Sequence, residues 1–289
     1  MSRLIAGAKL LFGLQLVGRN LDVFPDDVFL VSYPKSGNTW TRFLIGNLIS
    51  KGEKADFSSI NRIIPDPEAL TKRAANQLPR PRILKSHQYF DPRYPKVIYI
   101  VRDPRDVAVS QYHFQRKRRV IQDGYPIEEF VRGFIRGETS IYGSWGENAA
   151  SWLATRHGQS NFLLLRYEDM LEDTRQALAK VAAFLDICAT PERLQLAVEN
   201  SSADHMRELE KSQAKLWSTT KNTRQDVPFV RAAKSSEWKS ELPHESVAEI
   251  ESAWGHLMRY LGYETEPSPG SSPETDRNLM LLGQSPERI

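Results

Sequence analysis

Three short stretches of this chain hold residues able to do chemistry, and each suits an anion. In Ser32-Tyr33-Pro34-Lys35-Ser36-Gly37-Asn38-Thr39-Trp40, a charge at Lys35 precedes a Gly-bearing turn and several side-chain donors. A turn from strand into helix presents N–H groups that lack an internal acceptor, at the positive end of the helix dipole. Phosphate binding is the expected chemistry; the competing reading is a plain capped turn. Lys35 comes before Gly37, whereas in the common nucleotide loop Lys follows the second Gly. A triphosphate with Ser/Thr-bound magnesium is therefore not implied.

The second stretch is Val101-Arg102-Asp103-Pro104-Arg105-Asp106-Val107-Ala108-Val109-Ser110. Arg102 at a strand end and Ser110 in the following helix would suit a second phosphate, with the guanidinium donating two parallel bonds. Arg102 can equally brace the helix start by pairing with Asp106. The third stretch is Leu84-Lys85-Ser86-His87. There a neutral imidazole can take a proton from an alcohol while Lys35, Lys85 and Arg102 steady negative charge on a leaving group. A histidine with a purely structural role is the alternative. The remaining histidines, 113, 157, 205, 244 and 256, have no ligand-like spacing, so no metal is expected. The run Arg116-Lys117-Arg118-Arg119 reads as a solvated face or as a lure for an anionic ligand.

These groups need strand ends to hold them together, and the pattern supplies strands. Val28–Val31, Arg82–Lys85, Lys96–Val101 and Asn161–Tyr167 are short apolar runs alternating with helical segments, the signature of a parallel sheet with crossover helices. Ligands of such sheets gather beyond the carboxyl ends of the strands, where Lys35, Lys85, His87 and Arg102 all fall. In the helix after Gly37, Trp40, Phe43, Leu44 and Leu48 share one face. Asp103 is placed as an N-cap with Pro104 at the first helical position. Thr174–Leu185 and Glu245–Leu261 also read as helices. The fold expected is three-layer α/β, P-loop-like, with a central parallel sheet flanked by helices: one domain over 1–264 and a Pro/Ser-rich tail over 265–289.

Composition narrows the class of partner. Lys plus Arg number 39 against 36 Asp plus Glu, a formal charge of +3, which excludes a polybasic nucleic-acid coat. The single cysteine, Cys188, rules out an internal disulfide framework and fits a reducing, cytoplasmic setting. No uncharged apolar run reaches the length of about 18 residues that a spanning helix needs. The segment Leu4–Val17 reads as a helix packed on the domain or, alternatively, as a point of peripheral membrane contact. An apolar island, Leu279–Leu282, interrupts the tail and can dock back or stay free.

Taken together, these motifs resemble the cytosolic-type sulfotransferases, which use 3′-phosphoadenosine 5′-phosphosulfate (PAPS) and release the bisphosphate PAP. Tyr33 to Trp40 resembles the family's phosphosulfate loop, and Arg102 to Phe114 its 3′-phosphate segment. Lys85-Ser86-His87 matches the Lys-x-His of its base, and Arg166-Tyr167-Glu168-Asp169 its adenine-side Tyr. The resemblance spans roughly residues 25–262. It implies catalytic roles for His87, Lys35, Lys85 and Ser110, with His87 deprotonating the acceptor. The 5′-phosphosulfate would lie on Lys35, Ser36, Gly37, Asn38, Thr39 and Trp40. The 3′-phosphate would fall to Arg102, Ser110 and the segment Arg231-Ala232-Ala233, and the adenine to Trp40 near Tyr167 and Ser201.

The chain departs from that pattern in places. Asn38 replaces a common Thr, and Arg231-Ala232-Ala233 stands for Arg-Lys-Gly, removing one cation. Ala203 replaces a second adenine-stacking Phe. The family's dimerisation sequence is not recognisable after Lys239, so no oligomeric state is assigned. The implied reaction moves a sulfuryl group to a hydroxyl, less readily an amine, of a small organic acceptor. Its pocket would draw on 60–77, 89–94, 115–147 and 216–229, and a phenol, sterol, glycolipid or natural-product alcohol all fit. The alternative from a different chemistry is a nucleotide-dependent small-molecule kinase, against which the missing Gly-x-x-x-x-Gly-Lys-Ser/Thr loop argues.

Overall fold

Short runs of apolar residues with both faces covered make parallel strands, and four such runs do so here. The computed structural model describes residues 20–50, 54–217 and 219–266. The Leu4–Val17 segment, the Leu279–Leu282 island and the tail beyond residue 266 lie outside the described residues. Strands β1 (Val28–Ser32), β2 (Ile83–Ser86), β3 (Lys96–Val101) and β4 (Phe162–Arg166) form one parallel sheet in the order β2-β1-β3-β4. Val31 pairs with Ser86, Ser32 with Ile100 and Val101 with Arg166, so the four carboxyl ends finish side by side. The chain steps outward from β1 to β2 on one side and to β3 on the other, which makes the end of β1 a topological switch point.

Helices wrap both faces. After β1 come α1 (Asn38–Ile49), α2 (Ile60–Ile63) and α3 (Lys72–Asn76); after β3 come α4 (Pro104–Lys117), α5 (Ile127–Ile135) and α6 (Trp145–Arg156). After β4 follow α7 (Tyr167–Glu172), α8 (Thr174–Phe184), α9 (Pro191–Glu199), α10 (Ala203–Gln213), α11 (Trp238–Glu241) and α12 (His244–Tyr260). Alternation along the strands divides the core. Phe29, Val31, Val97, Tyr99 and Val101 pack with Val107, Phe130, Phe134, Trp152, Ile250 and Met258 on one side. Val28, Leu30, Ile98 and Ile100 pack with Leu44, Ile45, Leu48, Leu178, Val181 and Leu194 on the other.

The cap of α4 is as the sequence suggests: Asp103 accepts the Arg105 N–H at 2.9 Å, and Pro104 opens the helix. Two other readings need correction. Helix α1 buries more than the stripe of Trp40, Phe43, Leu44 and Leu48, because Thr41, Arg42 and Ile45 are buried as well. It is covered twice, by the sheet-side cluster and by a third cluster in which Phe43 meets Phe57, Ile60, Met206 and Trp217. Nor is the run 116–119 a uniformly solvated face. Lys117 is buried, donating to the Arg224 and Val227 carbonyls at 3.0 and 2.5 Å and pairing with Glu210 at 3.3 Å.

Candidate active site

A cavity of about 960 Å³ opens beyond the carboxyl ends of the strands. The loop after β1 forms its floor. Gly37 has φ 98°, and a Cβ there would stand 2.6 Å from Cδ2 of Tyr167, so only glycine lets the loop lie on that ring. Lys35 also takes a left-handed φ of 70°. Its Nζ lies between the rings of Phe114 and Phe229, 4.3 and 4.2 Å from their centroids, close enough for cation–π attraction.

Three cations converge here. Arg102 donates to the Lys35 carbonyl at 3.4 Å and the Lys234 carbonyl at 3.1 Å, lies over Tyr167 at 4.4 Å, and stands 3.7 Å from the Asp106 carboxylate. Arg102 thus both braces the helix start and lines the cavity, and its buried Nε has no partner. Arg231 lines the cavity too, paired with Glu237 at 3.0 Å and Glu241 at 3.3 Å. Burial, with the Arg102 and Arg231 guanidiniums second, pushes Lys35 down to about 7. Such crowding of positive charge is the electrostatic mark of a site that expects an anion.

On the β2 side, His87 Nδ1 lies 2.6 Å from the Ser32 carbonyl oxygen. A carbonyl can only accept, so Nδ1 carries the proton and Nε2 keeps the free lone pair. Burial and the neighbouring Lys85 ammonium push His87 down to about 3, so the imidazole is neutral at physiological pH. The Tyr142 ring lies edge-on to it, centroids 5.4 Å apart, and the Tyr142 hydroxyl donates to Glu68 at 2.5 Å. Lys85 is not free: its Nζ contacts Asp66 Oδ2 at 2.5 Å.

Most residues singled out in the sequence meet at this cavity. Lys35, Gly37, Asn38, Thr39, Trp40, Lys85, His87, Arg102, Ser110, Tyr167, Ser201, Arg231 and Ala233 all line it. Ser36 and Ala232 do not: the Ser36 hydroxyl is buried without a partner, and the Ala232 carbonyl accepts from Arg207 at 3.1 Å. Asn38 spends its amide on β1, donating to the Leu30 carbonyl and to Ser32 Oγ, both at 3.2 Å. Ser201 donates to the Ala197 carbonyl at 2.7 Å, while its own carbonyl holds the Trp40 indole N–H at 3.1 Å. Sequence reasoning missed Asp66, Glu68 and Glu237. Asp66 sits in Pro65-Asp66-Pro67, a turn-and-cap signal that says nothing of a lysine on the adjoining edge strand.

The comparisons with known proteins agree on a class. A model of the sulfotransferase domain matches residues 25–262. The chain is 33% identical over 237 residues to a 3-beta-hydroxysteroid sulfotransferase of Cavia porcellus, covering 78% of this chain and 80% of that protein. It is 33% identical over 236 residues to Sulfotransferase 2A1 of Homo sapiens, covering 78% and 81%. This chain belongs to the PAPS-dependent sulfotransferase family. Its fold is shared with mouse sulfotransferase SULT7A1 complexed with PAP, at a TM-score of 0.69, 23% identity and 92% coverage of both chains. The enzyme is a sulfotransferase that moves a sulfuryl group from PAPS to a hydroxyl acceptor, and the phosphoryl-transfer alternative gains no support.

The residues present fit that donor. The crowded cations Lys35, Arg102 and Arg231, the unpartnered Arg102 Nε and the free N–H groups at the start of α1 together suit a bisphosphate. No helix among the described residues is long and apolar enough to cross a membrane.

Proposed function

We propose that this enzyme sulfates a hydroxyl on an apolar, ring-bearing acceptor of the hydroxysteroid class, with His87 as the base. The observation that carries this reading is the cavity wall, where Phe114, Val120, Ile141, Tyr142, Trp217 and Phe229 line the same cavity as His87. A rigid ring system buries its faces on such side chains with little loss of conformational freedom. A sugar would leave several hydroxyls there without partners. The guinea-pig relative, a 3-beta-hydroxysteroid sulfotransferase, points the same way.

In this reading His87 Nε2 takes the acceptor's proton, and Nδ1, bonded to the Ser32 carbonyl, fixes the ring. When bound, PAPS supplies the sulfuryl group and departs as PAP. Lys35 and Lys85 offset the negative charge that develops between donor and acceptor, as preorganised electrostatics rather than covalent chemistry. The loop 35–40 holds the 5′ end; Arg102, Ser110 and Arg231 hold the 3′-phosphate. Trp40, anchored by the Ser201 carbonyl, faces the adenine. One domain over 1–264 does this work, with 265–289 as a tail, in the cytoplasm.

The test is turnover of the purified full chain with PAPS against a 3β-hydroxysteroid, 2-naphthol and a hexose. The steroid is expected to give the highest kcat/KM, by about tenfold or more over the hexose. A preference for the hexose would overturn the acceptor class.

A further inference from the structure

We infer that Asp66 is a positioning residue for the acceptor side of the reaction: its ion pair with Lys85 sets the charge that His87 faces when it takes the acceptor's proton. This inference rests on the reading of His87 as the base.

The geometry is fixed from two directions. Asp66 caps the short 3₁₀ turn Pro67–Ala69, its Oδ1 accepting the Glu68 N–H at 3.1 Å. Its Oδ2 meets Lys85 Nζ at 2.5 Å, with only 25% and 18% of the two side chains exposed. The backbones are tied as well, since the Lys85 N–H donates to the Pro65 carbonyl at 2.9 Å. Carboxylate and ammonium are therefore held beside each other two residues before the base, with little water to screen them.

Four other groups surround the imidazole. Lys85 comes from its own strand and Arg42 from α1, the Arg42 guanidinium being buried on the Ile60 and Ile64 carbonyls. Tyr142 packs edge-on from the loop before α6, and the Glu68 carboxylate behind it is already engaged by the Tyr142 hydroxyl and the Gln88 amide, each at 2.5 Å. Lys85 and Arg42 both oppose a charge on His87, and Asp66 favours it. Against the cost of its own burial, Asp66 is held ionised by the Lys85 ammonium beside it and, more weakly, by the Arg42 guanidinium.

The consequence follows from electrostatics. Taking the acceptor's proton places a new positive charge beside two cations in a half-buried site. Asp66 offsets one of them. Without its carboxylate, the imidazolium would face Lys85 and Arg42 uncompensated, and His87 would be a weaker base. The same pair restrains Lys85, so its ammonium approaches the reacting groups from a fixed direction instead of sweeping the cavity.

The experiment compares Asp66→Asn and Asp66→Glu in the full chain at saturating PAPS. The acceptor is a 3β-hydroxysteroid, or 2-naphthol should the steroid not be turned over. Asparagine also caps turns, which preserves the local fold. Asp66→Asn is expected to lower kcat about three- to tenfold, the effect of about one unit in the basicity of His87 for a proton half to fully transferred. Acceptor KM and PAP affinity should stay within about twofold, and Asp66→Glu should restore most of the rate. Asp66→Asn combined with Lys85→Met should lose less than the product of the two single losses. Wild-type kcat in Asp66→Asn would overturn the proposal. So would a joint loss of kcat and PAP binding that Asp66→Glu does not repair, which marks a purely structural cap. Parallel assay of His87→Ala separates the two layers. Turnover retained there defeats the base reading itself; an inactive His87→Ala beside an unimpaired Asp66→Asn defeats the role of Asp66 alone.

Discussion

At one end of the cavity most of the groups that face an anion come from short runs at the ends of β1 and β3, with Arg231 added from far along the chain. At the other, Tyr142 lines the cavity beside His87 and Asp66 pairs with the lining Lys85, each brought in from a remote part of the chain. In the proposed reading the first is the donor end, and it relies on backbone geometry: Gly37 abuts the Tyr167 ring, Lys35 takes a left-handed turn, and the first N–H groups of α1 have no side-chain cap. The acceptor end relies on side chains that hold one another, as Glu68 holds Tyr142 and Asp66 holds Lys85. Backbone devices need a short sequence and are rigid. Side-chain walls need tertiary packing and can change without disturbing the sheet. A sulfotransferase built this way keeps its donor site while its acceptor site is free to vary.

The largest expected effect would break the two ends apart. His87→Ala should cut kcat by about 10²–10⁴-fold, the usual worth of a general base, and leave the affinity for PAP unchanged by calorimetry. A parallel fall in PAP affinity would show that the two ends are one unit.

Arg102→Ala is the mirror experiment at the donor end. Losing charge-assisted bonds to phosphate should weaken PAP binding about 10- to 100-fold. Saturating donor should then recover most of kcat. A variant that binds PAP normally would reduce Arg102 to the brace that its contact with Asp106 already suggests.

The smallest effect sharpens the comparison at the residue between the ends. Burial and two guanidiniums hold Lys35 at about 7 in the free protein. A bound bisphosphate favours the ammonium and raises that value. The protonated form therefore binds better: PAP affinity is full below about pH 7 and declines as pH rises through 7 toward the higher value of the complex. The slope should be at most about tenfold per pH unit. Calorimetry in buffers of different ionisation enthalpy would detect the accompanying proton uptake. Lys35→Met should abolish both the uptake and the slope.

Much of the donor end was legible because its signals are local. Pro34, Lys35 and Gly37 mark a turn into a helix, and Asp103-Pro104 marks a helix start; each depends on a few neighbouring residues and on strand ends whose apolar runs were plain to read. Even there, packing overrode local pattern. Asn38 turned its amide back onto β1, and Ser36 was buried behind the loop. Helix α1 proved to be covered on two sides, which no single periodic stripe can announce.

The sequence by itself determined the fold class, the strand ends and the set of cations and the proposed base, because strand periodicity, caps and anion loops are written in short segments. Only the tertiary structure decided which charges meet. That Lys85 is held by Asp66, Lys117 by Glu210, and Lys35 between Phe114 and Phe229 depends on contacts between residues far apart in the chain. A charge in a sequence has no strength of its own. Its burial and its nearest partner set that strength, and both exist only once the chain has closed on itself.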